Sequence, residues 1–265
     1  RLTLGEKYNG NVNHFAYLTS GFHSVEDRVL WKLAESVLEE VNVGDEKSSV
    51  LSTLIHNGEL TRDYDELMAL FRDAFMNDDE AGKDHVEKII FLRMICYVWS
   101  IDTSQIYANL AVQVRARVDW LITEYLPNHS PGDAVPKEMQ MLKGTMRESE
   151  VDRVWALSRM PMNRIHHMRS KFYTDDFFCP MPSIEDDAMP VANLLRSRQP
   201  EIITVAFDPE GTGPDTHYKV LQVIAAGLRL SLNRHDLKNA NPIGKTLLHS
   251  NFSLTIETSI LLPEQ

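Results

Sequence analysis

The sequence predicts an α/β fold in which an open, mostly parallel sheet carries helices on both faces and is interrupted by a long all-helical insertion. Three observations predict it. Strand, turn and helix signals recur near the start and again in the last third of the 265 residues. Glu201–Phe207 (EIITVAF) is β-branched and almost wholly apolar, as expected of a central strand buried on both faces of a parallel sheet. Between these ends, from Asp27 to about Glu124, the apolar spacing changes to the helical period.

Each element follows from local chemistry. Asn11–Leu18 is apolar in its second half and stops at Thr19-Ser20-Gly21, which favour a tight turn, so it reads as a core strand followed by a loop. Tyr64, Leu67, Met68, Phe71 and Phe75 define one apolar helix face, with Asp63, Asp65, Glu66 and Asp73 mostly away from it. Val86, Ile89, Ile90 and Tyr97 continue the pattern, as do Ile106, Leu110, Val118, Leu121 and Tyr125. Asn128–Asp133 is dense in turn formers and marks the return of the helical block to the main fold. A helix is expected from Pro136 to about Arg159, where Pro161 forces its end. Asn163–Met168 is a short candidate strand, and Ile184–Arg198 a helix capped by Ser183. After Glu201–Phe207 comes a loop rich in Gly, Pro and acid, then a helix over Thr216–Leu232 and a last, edge strand within Phe252–Leu262. The expected organisation is a Rossmann-like α/β core over residues 1–26 and 128–265, with an insertion over 27–127.

Composition bounds the function. With 43% hydrophobic and 25% charged residues the chain can bury a full core. A net charge of −11 argues against a broad basic surface, so neither nucleic acid nor an anionic membrane is an expected partner. Cys96 and Cys179 lie far apart and form no CxxC pair, which suits buried thiols in a reducing cytoplasm. Ile202–Phe207 and Val223–Leu232 fall short of the roughly 20 residues a membrane helix needs. No signal peptide opens the chain, and the expected location is cytoplasmic. P-loop, Gly-x-Gly-x-x-Gly, HExxH and Gly-x-Ser-x-Gly patterns are missing, which removes several nucleotide-binding, metalloprotease and serine-hydrolase readings.

Ligands of open α/β sheets bind beyond the carboxyl ends of the strands, which directs attention to Thr19-Ser20-Gly21 and to Asp208–His217. The second loop gathers Asp208, Glu210, Asp215 and His217, and carboxylate plus imidazole is a ligand set of catalytic zinc. Two readings are open: a catalytic loop, or turn chemistry in which Asp215 only caps the helix carrying His217. His166 and His167 are adjacent on a strand, point to opposite faces and cannot both hold one ion.

Three segments in order resemble one family, the PIG-L/LmbE-type zinc deacetylases that act on N-acetylglucosamine units. Asn13–Gly21 (NHFAYLTSG) is similar to their second strand and TSG loop. Lys143–Glu150 (KGTMRESE) resembles their Arg-x-x-Glu helix, and Asn163–Met168 with Phe172-Tyr173 the strand and aromatic loop after it. Gln199–Gly211 and Pro214–His217 look like their late strand and histidine-bearing loop. Within the family the likeness is to the deacetylase-like module associated with bacterial glucosamine-6-phosphate deaminases.

The resemblance implies a zinc ion held by the His and an Asp of an early His-Pro-Asp-Asp motif plus a later His, which His217 matches. Asp215 would orient His217 and serve the catalytic site, Thr19, Ser20 and Gly21 would bind substrate, and the helical block would cover the crevice. His-Pro-Asp-Asp occurs nowhere in these residues, and Thr212, Gly213 and Pro214 stand where the family often has an oxyanion-stabilising His. Two explanations are open: an amino-terminal strand upstream of Arg1, favoured by the non-Met start, or a module that has lost catalysis. The corresponding functions are zinc-dependent removal of an acetyl group from an N-acetylglucosamine-containing small molecule, or sugar-phosphate binding and regulation within an amino-sugar protein. Homo-oligomer formation is compatible with either.

Overall fold

A computed structural model of the chain describes residues 12–40, 60, 62–103, 107–130, 132–176, 179–200, 202–206, 215–231 and 253–257. Two compact units meet in sequence between His167 and Met168, and each is described by itself.

The first unit opens with β1 (Phe15–Tyr17), whose alternation of apolar and small residues suits a short strand. A single 3-10 turn, Phe22–Ser24, follows, with Phe22 only 2% exposed. Helices α1 (Asp27–Glu40), α2 (Tyr64–Met76), α3 (Glu80–Val98) and α4 (Tyr107–Trp120) then form the predicted helical block. Asp63 caps α2 by accepting from the Asp65 amide, and Asp79 caps α3 by accepting from that of Gly82, which satisfies amides the helices cannot. A widened π turn, Leu121–Tyr125, and a short helical turn, Leu126–Asn128, extend α4. Helix α5 (Lys137–Leu157) crosses the unit and ends before Pro161, and β2 (Ile165–His167) returns beside β1. The strands are parallel, with Phe15, Ala16 and Tyr17 opposite Ile165, His166 and His167.

One apolar core joins α1 to α5. Leu30, Leu67, Ile95, Leu110, Val118, Leu121, Met139 and Leu142 are all fully buried in it. The predicted helix faces hold through Tyr64, Leu67, Met68 and Phe71, and through Val86, Ile89 and Ile90. Phe75 and Tyr97, which the same spacing places on those faces, are instead 47% and 54% exposed. Both sit in the last turn of their helices, and the Phe75 ring is met by Lys83 Nζ of the next helix, 5.1 Å from its centroid. Ile106 lies outside the described residues.

The second unit contains a π turn, Ile184–Ala188, leading into α6 (Met189–Arg198), then β3 (Ile202–Ala206), α7 (Asp215–Ser231) and β4 (Ser253–Glu257). Ser183 caps the first turn by accepting from the Asp186 amide, as its position in the sequence predicts. Asp187, 3% exposed, accepts from the amides of Lys171, Phe172 and Ser183 at 2.6, 3.3 and 2.8 Å, so its buried carboxylate is fully bonded and ties the 170–173 loop to the helix. Strands β3 and β4 are parallel along their whole length, Ile202 opposite Ser253 through Ala206 opposite Glu257.

Among the described residues the chain is thus mostly helical and carries two parallel strand pairs, one per unit. The sequence expectation for β3 is corrected in one respect. Val205 is buried, but Ile202 is 56% exposed, so the strand is not covered on both faces along its length. A run of β-branched residues states strand preference, and says less about what lies over each face.

Candidate functional site

Thr19, Ser20 and Gly21 leave the carboxyl end of β1, half-buried. Gly21 adopts φ 66°, a left-handed conformation that costs glycine little, and its carbonyl accepts from the Ser24 amide at 3.1 Å and the Ser24 hydroxyl at 2.7 Å. The loop rests on α5. A Cβ placed on Gly144 would stand 3.0 Å from Ser20 Cβ and 3.2 Å from its Oγ, so the bare helix backbone there is what lets Ser20 seat. One turn on, the stem of Arg147 passes beside Gly21, and its guanidinium pairs with Glu150. The Arg-x-x-Glu spacing on α5 is therefore an ion pair alongside the TSG loop.

The first residue of α1 collects two basic side chains. Asp27 Oδ1 is ion-paired with Lys143 Nζ at 2.6 Å, and its Oδ2 lies 2.9 Å from His129 Nδ1. Burial acts to raise the Asp27 pKa, but the hydrogen bonds and charges of Lys143 and His129 outweigh it and hold the carboxyl below its ordinary range. His129 is stacked on Tyr125 with centroids 4.9 Å apart, and its Nε2 is buried with no hydrogen-bond partner among the described residues.

A second cluster lies at the carboxyl ends of both strands. Asp152 of α5, 6% exposed, accepts from the Tyr64 hydroxyl at 2.9 Å and lies 2.9 Å from His167 Nε2. Tyr17 stacks on His167 and accepts from Trp155 Nε1 at 2.8 Å. Burial first, then the Asp152 charge and hydrogen bond, push the Tyr64 phenol far above its ordinary pKa. Tyr17 is raised too, again chiefly by burial, with the Trp155 hydrogen bond opposing and the Asp152 charge adding. His166 turns the other way and meets His14, nitrogen to nitrogen at 3.1 Å, as opposite-facing neighbours on a strand must.

In the second unit, Asp215 and His217 stand on the first turn of α7, both exposed. The Asp215 carboxylate pairs with Lys219, one turn along, whose Nζ also donates to the Cys179 carbonyl at 2.6 Å. Lys219 is the partner the structure gives Asp215. Asp208, Glu210 and Thr212–Pro214 lie outside the described residues. Among the described residues, no group of three or more His, Cys, Asp or Glu could hold a metal ion, so those residues do not fit a zinc site by themselves. No described helix is long and apolar enough to cross a membrane.

Sequence reasoning placed the TSG loop but missed Asp27, His129 and Asp152. Their partners are 102, 88 and 15 residues away, for His129–Asp27, Tyr64–Asp152 and Asp152–His167 respectively. The available signal was a run of buried polar residues on α5, Lys143, Thr145, Glu148, Ser149 and Asp152, which breaks the amphipathic pattern.

Comparison with known proteins gives one local likeness. Over 94 residues, 34% of this chain, the sequence is 31% identical to a glucosamine-6-phosphate deaminase-like protein of Bacteroides thetaiotaomicron. The match takes in 14% of that protein's length. No family model and no solved structure matches the chain.

Proposed function

We propose that this chain is the α/β part of an N-deacetylase acting on an N-acetylglucosamine-containing small molecule in the cytoplasm. One observation carries the reading: the TSG loop leaves β1 at its carboxyl end, beside the parallel strand β2, and is seated on the Lys143–Glu150 helix that the same family resemblance singles out. The local likeness to an amino-sugar protein supports the substrate class. In this reading Thr19, Ser20 and Gly21 bind the sugar, His217 is a metal ligand, Asp215 supports it, and the fold class is Rossmann-like. The zinc that the resemblance implies needs ligands beyond His217, and because the described residues do not supply them no step is assigned to the ion.

A second reading is a catalytically silent module that binds a sugar phosphate, favoured by Thr212, Gly213 and Pro214 standing where the resembled family often has an oxyanion-stabilising His. Full-length protein incubated with N-acetylglucosamine and with its 6-phosphate separates the two. Acetate release supports the hydrolase. Saturable calorimetric binding of the 6-phosphate without acetate release supports the silent module. Neither turnover nor binding would defeat both.

A further inference from the structure

A cavity of about 320 Å³ lies between α1, α3 and α5, within the first unit. That volume sits at the lower end of small-molecule pockets. Its floor is apolar: Ile90, Phe91 and Met94 of α3 and Met146 of α5 line it and are each at least nine-tenths buried. Ser149 also lines it, but its hydroxyl is already donated to the Met146 carbonyl. Water at the floor would find few polar partners, so the space suits an apolar occupant.

The mouth has the opposite character. Arg28 and Lys32 line it from successive turns of α1, both exposed. Like charges at this spacing disfavour a helix, and an anion held between them relieves the repulsion. Two acids also line the cavity, and both are engaged: Glu87 with Arg153, and Glu150 with Arg147. Arg28 has Glu26 at 3.8 Å, an exposed pair of small worth, and Lys32 has no ion-pair partner among the described residues. In a chain of net charge −11, two cations without strong partners over a dry apolar floor form a specific combination.

We propose that this cavity binds a small amphipathic anion, with an apolar body on the Ile90–Phe91–Met94–Met146 floor and a carboxylate or phosphate-ester head between Arg28 and Lys32. Long, flexible cations at the rim reach the head while their stems extend the apolar wall. The inference does not depend on the deacetylase reading.

The test is calorimetric titration of full-length protein with octanoate, octyl phosphate, octanol and octylamine. Saturable 1:1 binding of either anion, at least tenfold tighter than octanol and octylamine, is expected, and the tighter anion identifies the head group. The double variant R28E/K32E should weaken that binding at least tenfold. Val29→Trp, at a position lining the cavity and 40% exposed, should abolish it by filling the entrance while leaving the thermal melting temperature unchanged. Absence of saturable anion binding, or equal binding of octylamine, or anion binding indifferent to R28E/K32E, would overturn the proposal. Should Val29→Trp melt at lower temperature, R28E/K32E, which alters only exposed charges, decides alone.

Discussion

Replacing Asp152 with Ala should be among the most damaging single changes in the first unit. The carboxylate is 6% exposed and serves two partners from different elements, the Tyr64 hydroxyl of α2 and His167 of β2. Hydrogen bonds to a charged group contribute about 1.5–3 kcal/mol each, and truncation leaves both half-buried partners without a replacement. The expected cost is therefore about 3–5 kcal/mol, a large part of the roughly 5–15 kcal/mol that holds a typical domain folded. Asp152→Asn keeps an acceptor for Tyr64 and should cost about 1–2 kcal/mol, and Tyr64→Phe, which removes one hydroxyl, a similar amount. Urea denaturation followed by tryptophan fluorescence gives these values from the midpoint shift at unchanged slope. In the double-mutant cycle, Tyr64→Phe should cost at least 1 kcal/mol less in the Asp152→Ala background. An Asp152→Ala cost below about 1 kcal/mol, or additive effects, would refute the view that this carboxylate joins helical block, α5 and strand.

Other consequences are open to direct measurement. Burial raises the Tyr64 phenol and pushes the Cys96 thiol up to about 11, from ordinary values of 10.0 and 9.0. A group raised on folding contributes stability that is intact below its unfolded pKa and lost as pH climbs beyond it, so stability should decline from about pH 9 upward. In Cys96→Ala and Tyr64→Phe that alkaline decline should be shallower, and a slope unchanged in both would contradict the assignment. Gly144→Ala gains up to about 1 kcal/mol of helix propensity but crowds Ser20, an overpacking of about 1–3 kcal/mol, so a net loss of about 0–2 kcal/mol is expected. Adding Ser20→Gly should recover part of that loss, and a Gly144→Ala variant more stable than the parent would show that Ser20 yields freely. Asp27→Asn should weaken the hold on Lys143 and His129 and flatten the fall in stability on acidification below about pH 4, since a lowered carboxyl contributes above its unfolded pKa of 3.8.

Periodicity revealed most of the elements because their boundaries rest on local chemistry: Asp63 and Ser183 at caps, Pro161 after α5, the Thr-Ser-Gly stop after β1. It could not reveal which strands pair. That β1 lies beside β2 depends on packing α1 to α5 into one core, information spread over some of the longest separations in the chain. The same limit applies to the sites. Thr19–Gly21 was legible because a loop after a strand is a local signature, whereas Asp27 was hidden because His129 and Lys143 come to it only in the fold. Asp215 is a neighbour of His217 in sequence, and its pairing with Lys219, one helical turn on, becomes visible only in the structure.

The functional account rests most heavily on His217, which stands exposed on the first turn of α7, where replacement should leave the helix intact. The decisive measurement is acetate release from N-acetylglucosamine 6-phosphate by full-length protein carrying His217→Ala, beside the parent. Losing a group that merely orients a metal ligand commonly costs about 10–100-fold, so losing the ligand itself should lower release at least about a hundredfold with an unchanged melting temperature. Release equal to that of the parent would contradict the assignment of His217 and, with it, the deacetylase reading.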